Sequence, residues 1–170
     1  MDNGSVEQEV VLGLGSNLGD REAAIAGALA RLSARGFRVR LRSSLYLTEP
    51  VGGPPQGFFL NAVAAGATAS SPEALLADCL AVEQELGRVR REPNGPRTID
   101  VDILFYGALV RPGPAPILPH PRLTERRFVL EPLAEILPDL VHPALGASVR
   151  ELAARCPDRA LVRRFAGAPA

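Results

Sequence analysis

"NGPRTIDVDILFYG", residues 94–107, sets two aspartates, Asp100 and Asp102, inside what otherwise reads as a buried β-strand. Side chains alternate along a strand, so the two carboxylates share one face, with Cα atoms roughly 6.5–7 Å apart. Ile99, Val101 and Ile103 then point the other way, into a core. Carboxylates held side by side repel each other and each costs desolvation energy. Two arrangements relieve that cost. The aspartates can pair with arginines on an exposed strand face, or they can hold a divalent cation. Mg²⁺ is commonly bound by one or two carboxylates plus waters and substrate phosphates, and two such ions can share the carboxylates. The Asp-x-Asp pattern alone favours pairing with arginine.

The neighbouring residues change the balance. Arg97 lies just upstream, and Arg88, Arg90 and Arg91 stand in the basic, proline-containing segment 88–97. Guanidinium forks match phosphate oxygens. His120, in "LPHPR", adds a phosphate donor, although a histidine between prolines also serves as a purely structural residue. Carboxylates for a metal and arginines for phosphate make a phosphoryl-transfer site. The sequence has no lysine, so all 19 of its Lys+Arg residues are arginine. That excludes a Walker-type loop and a protein-kinase lysine. "GLGSNLGD" (13–20) carries Leu18 where a dinucleotide fingerprint needs glycine, and no acidic residue ends the next strand. A Rossmann site is excluded on that pattern, and the segment reads as a tight turn.

A chain of 170 residues suits one domain with one core. Its formal net charge of zero removes any global attraction to nucleic acid or membrane. No apolar run approaches the roughly 18 residues that would cross a bilayer. The acidic, polar N-terminus lacks the pattern of a secretory signal, so a cytoplasmic location is expected. Cys79 and Cys156 fall in helix-like segments without metal spacing and are expected as buried free thiols.

Strands are predicted at 9–16, 37–46, 58–68 and 98–107. In the second, Phe37, Val39 and Leu41 alternate with Arg38, Arg40 and Arg42, a half-exposed pattern. Asp20 caps a first helix with Ile25, Leu29 and Leu32 at helical spacing, ended by Gly36. Ser71 and Pro72 open a second, with Leu75, Cys79, Val82 and Leu86 as its stripe. A helical stretch through Leu137, broken at Pro132, and a last helix near 148–156 follow. The order β-α-β-β-α-β plus extra helices predicts an α+β, ferredoxin-like antiparallel sheet with helices packed on it in three layers. It is read as a single domain over 1–170 with a C-terminal helical extension. The Gly, Pro and Arg-rich segments 52–58 and 88–96 are expected to act as lids.

"GLGSNLGD", "SSLYLTEPVG", "FFLNAV", "GRVR…NGPRTIDVDILFYG" and "LPHPRLTERRFVLEPLAEILPDLVHP" together resemble the 6-hydroxymethyl-7,8-dihydropterin pyrophosphokinase family, from about residue 10 to 143. The resemblance implies an enzyme of folate biosynthesis that moves a pyrophosphoryl group from ATP to a pterin alcohol and releases AMP. It implies that Asp100 and Asp102 bind two Mg²⁺ ions, and that Arg90, Arg97, His120 and Arg126 hold the triphosphate, with Arg88 as a further loop arginine. Arg90 and Arg97 join the two aspartates as catalytic residues. Glu83 and the backbone near Ile103 correspond to the nucleoside side. Thr48, Pro50, Val51 and Asn61 correspond to the pterin rim, and Phe59 and Phe128 to an aromatic pair that sandwiches the ring. A monomer acting on small molecules, without nucleic acid or membrane, is implied.

Some members carry tryptophan at the place of Asn94, tyrosine at Phe59 and tyrosine at Pro121, and some have a longer loop between Arg90 and Arg97. A metal-dependent phosphohydrolase or nuclease would use the same aspartates but has no need of the aromatic pair. An RNA-binding module would use arginines and aromatics without metal, and zero net charge argues against it.

Overall fold

In the computed structural model, residues 6–88 and 94–166 are described. Two antiparallel strands, β1 (Gln8–Ser16) and β4 (Phe59–Thr68), form the middle of a six-stranded sheet of order β5-β1-β4-β3-β6, with β2 (Arg38–Arg42) also paired to β4. β3 is Tyr46–Thr48, β5 is Asp100–Tyr106 and β6 is Val162–Arg164. One face packs on α1 (Arg21–Ala34) and α2 (Pro72–Glu85), with Leu12, Leu14, Ile25, Leu32, Leu75, Ile99 and Val101 in the core. The other face packs on α3 (Arg127–Ile136) and α4 (Val149–Ala154) through Val63, Leu104, Val129, Leu130 and Leu133. The three layers and the α+β class agree with the reading of the sequence. Each fully buried leucine or isoleucine in these layers contributes roughly 1.5–3 kcal/mol.

Local signals place both long helices. Asp20 accepts from Ala23 N at 3.0 Å and Ser71 from Ala74 N at 3.2 Å, so each caps an otherwise orphaned donor. Gly36, at φ 101°, ends the first of these helices in a conformation that residues with a Cβ rarely adopt.

Several expectations need correction. The predicted strand 37–46 is two strands, and Val39 and Leu41 are exposed along with the arginines. The cause is a register shift between Val39 and Leu41, which breaks the alternation; only Phe37 reaches the core. Arg38 and Arg40 pair with Glu7, so the arginine row is a solvated face as anticipated. Pro132 does not break the third helix, which runs through it to Ile136; Pro132 is itself buried. The C-terminal extension is not purely helical. After α4, β6 returns to the sheet and pairs with β3. Finally, Gly13 and Gly15 lie inside β1, and the turn is confined to residues 17–20. Both cysteines are buried and free, and burial pushes the Cys79 thiol up to about 12.

Candidate active site

Register brings distant residues into one row. Asp100 on β5 opposes Gly15 on β1, and Gly15 opposes Asn61 on β4. Asp102 opposes Gly13 in the same way. These residues share the face that carries α3, beside the N-terminal turn of that helix, where Arg126 and Phe128 stand. Glycine in the middle strand leaves the floor open between the carboxylate and the amide. A Cβ on Gly15 would collide with Asn61 Oδ1, so this close approach requires glycine.

Above this floor lies a cavity of about 460 Å³. Pro50, Val51, Phe59, Asn61, Arg97, Asp100, Arg126 and Phe128, all singled out in the sequence, line it. Thr48 is buried and accepts from Asn61 Nδ2 at 2.7 Å, which orients the amide. The two aromatic residues each carry a guanidinium. Arg97 lies 5.4 Å from the Phe59 ring centroid and Arg126 lies 5.5 Å from that of Phe128.

The two aspartates are not equivalent. Asp100 Oδ1 accepts from Arg88 Nη1 at 2.6 Å, and its Oδ2 accepts from Arg97 Nη1 at 3.0 Å. Burial alone would raise its pKa, but Arg88 and Arg97 outweigh burial and hold it below the usual carboxylate range. Among the described residues, Asp102 has only Arg126, at 4.0 Å, as an ion pair. Burial and the charge of Asp100 push it up to about 7. The two carboxylates of one strand thus differ: Asp100 is met by arginine, while Asp102 bears the cost of burial beside a like charge.

Glu83 is buried and ties the floor from below, accepting from Arg88 Nη1 and from Val101 N, both at 2.8 Å. Ile103 is buried in the core opposite Leu12. His120 does not itself line the cavity but lies behind its rim, where its Nδ1 accepts from Arg122 N at 3.2 Å. Burial, reinforced by Arg126, lowers its pKa to about 4, so the imidazole is neutral at pH 7 and keeps one N–H to donate. Arg90, and with it the middle of the expected lid at 88–96, falls outside the described residues.

Several residues in or behind the cavity wall escaped the reading of the sequence. Asn17 joins three segments: its Nδ2 donates to Gln56 Oε1 and Gly57 O, both at 2.9 Å, and its Oδ1 accepts from Arg97 N at 2.9 Å. Gln56 in turn donates to Asn94 O at 2.8 Å. Arg122, Glu125, Pro157 and Asp158 complete the rim. The only sequence sign of these was the polar Asn17 within a glycine-rich segment.

A ferredoxin-like sheet that carries paired aspartates beneath an arginine-lined, aromatic-flanked cavity defines a class of phosphoryl-transfer enzyme. Residues 11–138 match the model of the 7,8-dihydro-6-hydroxymethylpterin-pyrophosphokinase (HPPK) family, and the chain belongs to that family. It is 49% identical over 145 residues to a 2-amino-4-hydroxy-6-hydroxymethyldihydropteridine pyrophosphokinase of Methylorubrum extorquens, covering 85% of this chain and 90% of that protein. It is 44% identical over 146 residues to the folic acid synthesis protein fol1 of Pneumocystis carinii, where 85% of this chain covers only 20% of the longer protein. Among solved structures, a Plasmodium falciparum HPPK-DHPS A437G variant with pteroate is similar at TM-score 0.71 and 14% identity. That match takes in 91% of this chain and 41% of the other, and it speaks for the fold alone.

Proposed function

We propose that the cavity is the site at which the family's reaction takes place in this chain, with the pterin between Phe59 and Phe128 and the ATP phosphates over Asp100, Asp102 and the arginines. The chain is a pyrophosphokinase of folate biosynthesis: it transfers a pyrophosphoryl group from ATP to 6-hydroxymethyl-7,8-dihydropterin. Attack of the pterin hydroxyl on the β-phosphorus breaks the bond to the α-phosphate oxygen and leaves AMP. The observation that supports this assignment of residues is the row Asp100–Gly15–Asn61, which sets a carboxylate beside an amide across three neighbouring strands.

Asn61 and Thr48 supply the hydrogen bonds a flat heterocycle needs at its edge, and Pro50 and Val51 close that edge. Phe59 and Phe128 supply stacking of about 0.5–1.5 kcal/mol each beyond area burial. Arg97 and Arg126, which rest on aspartates and ring faces, would turn to phosphate oxygens when ATP binds. Arg88 neutralises Asp100 from the α2 side, neutral His120 donates a hydrogen bond, Glu83 and the backbone at Ile103 border the nucleoside, and Arg90 serves the triphosphate.

The donor set suits Mg²⁺. Among the described residues no cluster of three or more His, Cys, Asp or Glu side chains forms a metal cage. Two carboxylates that lack further protein ligands are the kind of site in which substrate phosphates and water complete the shell. Asp102, held partly protonated by its surroundings, gains most from a cation. Two Mg²⁺ ions held by Asp100 and Asp102 would neutralise phosphate charge and lower the pKa of the attacking hydroxyl. The chain acts as a monomer in the cytoplasm on small molecules, without nucleic acid or membrane; no described helix is long and apolar enough to cross a membrane.

Incubation with ATP, Mg²⁺ and the hydroxymethyl dihydropterin tests the reading. AMP and pterin diphosphate should form in equal amounts. ADP with a pterin monophosphate would overturn it.

A further inference from the structure

The family match ends at residue 138, yet Pro157 and Asp158 line the cavity. The segment 157–165 that carries them is a strap fixed at both ends of the pterin side. At one end, Asp158 Oδ2 accepts from Arg127 N at 3.0 Å, on the first residue of α3, while its Oδ1 accepts from Ala160 N at 2.9 Å. Arg127 Nη1 reaches Ala160 O at 3.3 Å. At the other end, Leu161 N donates to Glu49 Oε1 at 2.8 Å and Glu49 N donates to Leu161 O at 3.1 Å. Thr48 then opposes Val162, Leu47 opposes Arg163 and Tyr46 opposes Arg164.

The two walls of the cavity come from opposite parts of the chain. Pro50 and Val51 follow β3, whereas Arg126 and Phe128 flank the first residue of α3. α3 has no side-chain cap of its own at Arg126; the carboxylate that meets its first turn comes from Asp158, 31 residues away. Asp158 therefore links the wall bearing Phe128, through Ala160 and Leu161, to the wall bearing Pro50. We infer that Asp158 is a positioning residue for the pterin, setting the separation between Phe128 and the Pro50–Val51 edge without touching the phosphate end. This rests on the placement of the pterin proposed above. An aspartate is needed because two N–H donors converge on one side chain, and only a carboxylate offers two acceptor oxygens.

The test compares wild type, Asp158→Ala and Asp158→Asn in full-length protein. Binding of the hydroxymethyl pterin is measured with a non-hydrolysable ATP analogue and Mg²⁺ present, and binding of the analogue is measured alone. Asp158→Ala should weaken pterin binding roughly tenfold, as expected for a lost charge-assisted hydrogen bond that preorganises a site, and leave analogue binding within about twofold. Asp158→Asn, which keeps one acceptor, should fall between. In steady state the KM for pterin should rise more than kcat falls. If Asp158→Ala does not fold, Asp158→Asn, which keeps the shape and one acceptor, must still show the selective loss of pterin binding; Glu49→Ala, which removes one of the two hydrogen bonds at the strap's other end, should show a smaller loss of the same kind. Equal losses for both ligands, or none, would overturn the proposal. Failure of wild type to bind pterin at all would instead overturn the assignment of the pocket, so the two failures are distinguishable.

Discussion

The guanidinium of Arg88 donates to Asp100 Oδ1 at 2.6 Å, while its Nη1 also meets Glu83 Oε2 at 2.8 Å. Among the described residues, Asp102, on the same strand face, pairs with Arg126 alone, at 4.0 Å. One strand thus presents two carboxylates in unlike surroundings: Asp100 is held low by two guanidinium groups, while burial and the charge of Asp100 push Asp102 up to about 7.

The pair should respond unequally to amidation. Asp100→Asn removes the anion shared by Arg88 and Arg97 and should cost the ligand-free fold about 1–3 kcal/mol. Asp102→Asn removes a repelled charge and should leave the fold unchanged or slightly more stable. On the proposed assignment both should lower turnover by orders of magnitude, since each loses a charge that would hold a cation against the transferring group. Melts without ligand beside single-turnover rates decide it. Identical stability losses with retained turnover would make the two aspartates structural.

A second expectation concerns pH in the presence of a chelator. The folded pKa of Asp102, about 7, exceeds its ordinary value of 3.8, so its contribution to stability is present at low pH and is lost as pH rises through 7. His120 acts in the opposite direction: its folded value of about 4 lies below 6.5, so stability is lost as pH falls through 4. The two oppose each other in wild type. Stability of wild type minus that of Asp102→Asn isolates the carboxylate and should decline between pH 4 and 7. A flat difference would show that Asp102 is not perturbed.

Gly15→Ala should weaken pterin binding, because the new methyl displaces the Asn61 amide. Gly13→Ala is the matched control, since its Cβ would meet only the Leu104 side chain, at 3.4 Å. Calorimetry with pterin should separate the two by at least about 1 kcal/mol, the typical net value of one hydrogen bond. Equal affinities would remove Asn61 from the pterin edge.

Asn17→Ala should loosen the segments that meet at its amide. Arg97 N and Gly57 O would lose their partner, at about 0.5–1.5 kcal/mol each, since neither residue is fully buried. Hydrogen exchange should accelerate at 55–58 and 95–98, and turnover should fall as Arg97 loses its anchor. Unchanged exchange near Arg97 would mean that its ion pair with Asp100 suffices to hold it.

The sequence by itself determined whatever is encoded within a few residues. Alternation at 99–103 placed Asp100 and Asp102 on one face with Ile99, Val101 and Ile103 beneath, because a strand repeats every two residues. Asp20 and Ser71 announced the starts of their helices because a cap reaches only three residues ahead. Tertiary structure alone decided what depends on which strand lies beside which. Gly13 and Gly15 suit a turn as well as a strand, and only pairing on both sides, with β4 and with β5, makes them the floor of a cavity. Val39 and Leu41 look buried by pattern and are exposed because a register shift breaks the alternation at the edge of the sheet. Arg88 was legible as a phosphate-side arginine but not as the partner of Asp100, and Asn17 and Asp158 show no periodic signal for their roles, since the partners that define them, Asp100, Arg97 and Arg127, stand 12, 80 and 31 residues away. Short-range hydrogen bonding and periodicity are properties of the chain read in order; a pocket assembled from crossing strands and a returning C-terminal strap exists only once those segments have closed on one another.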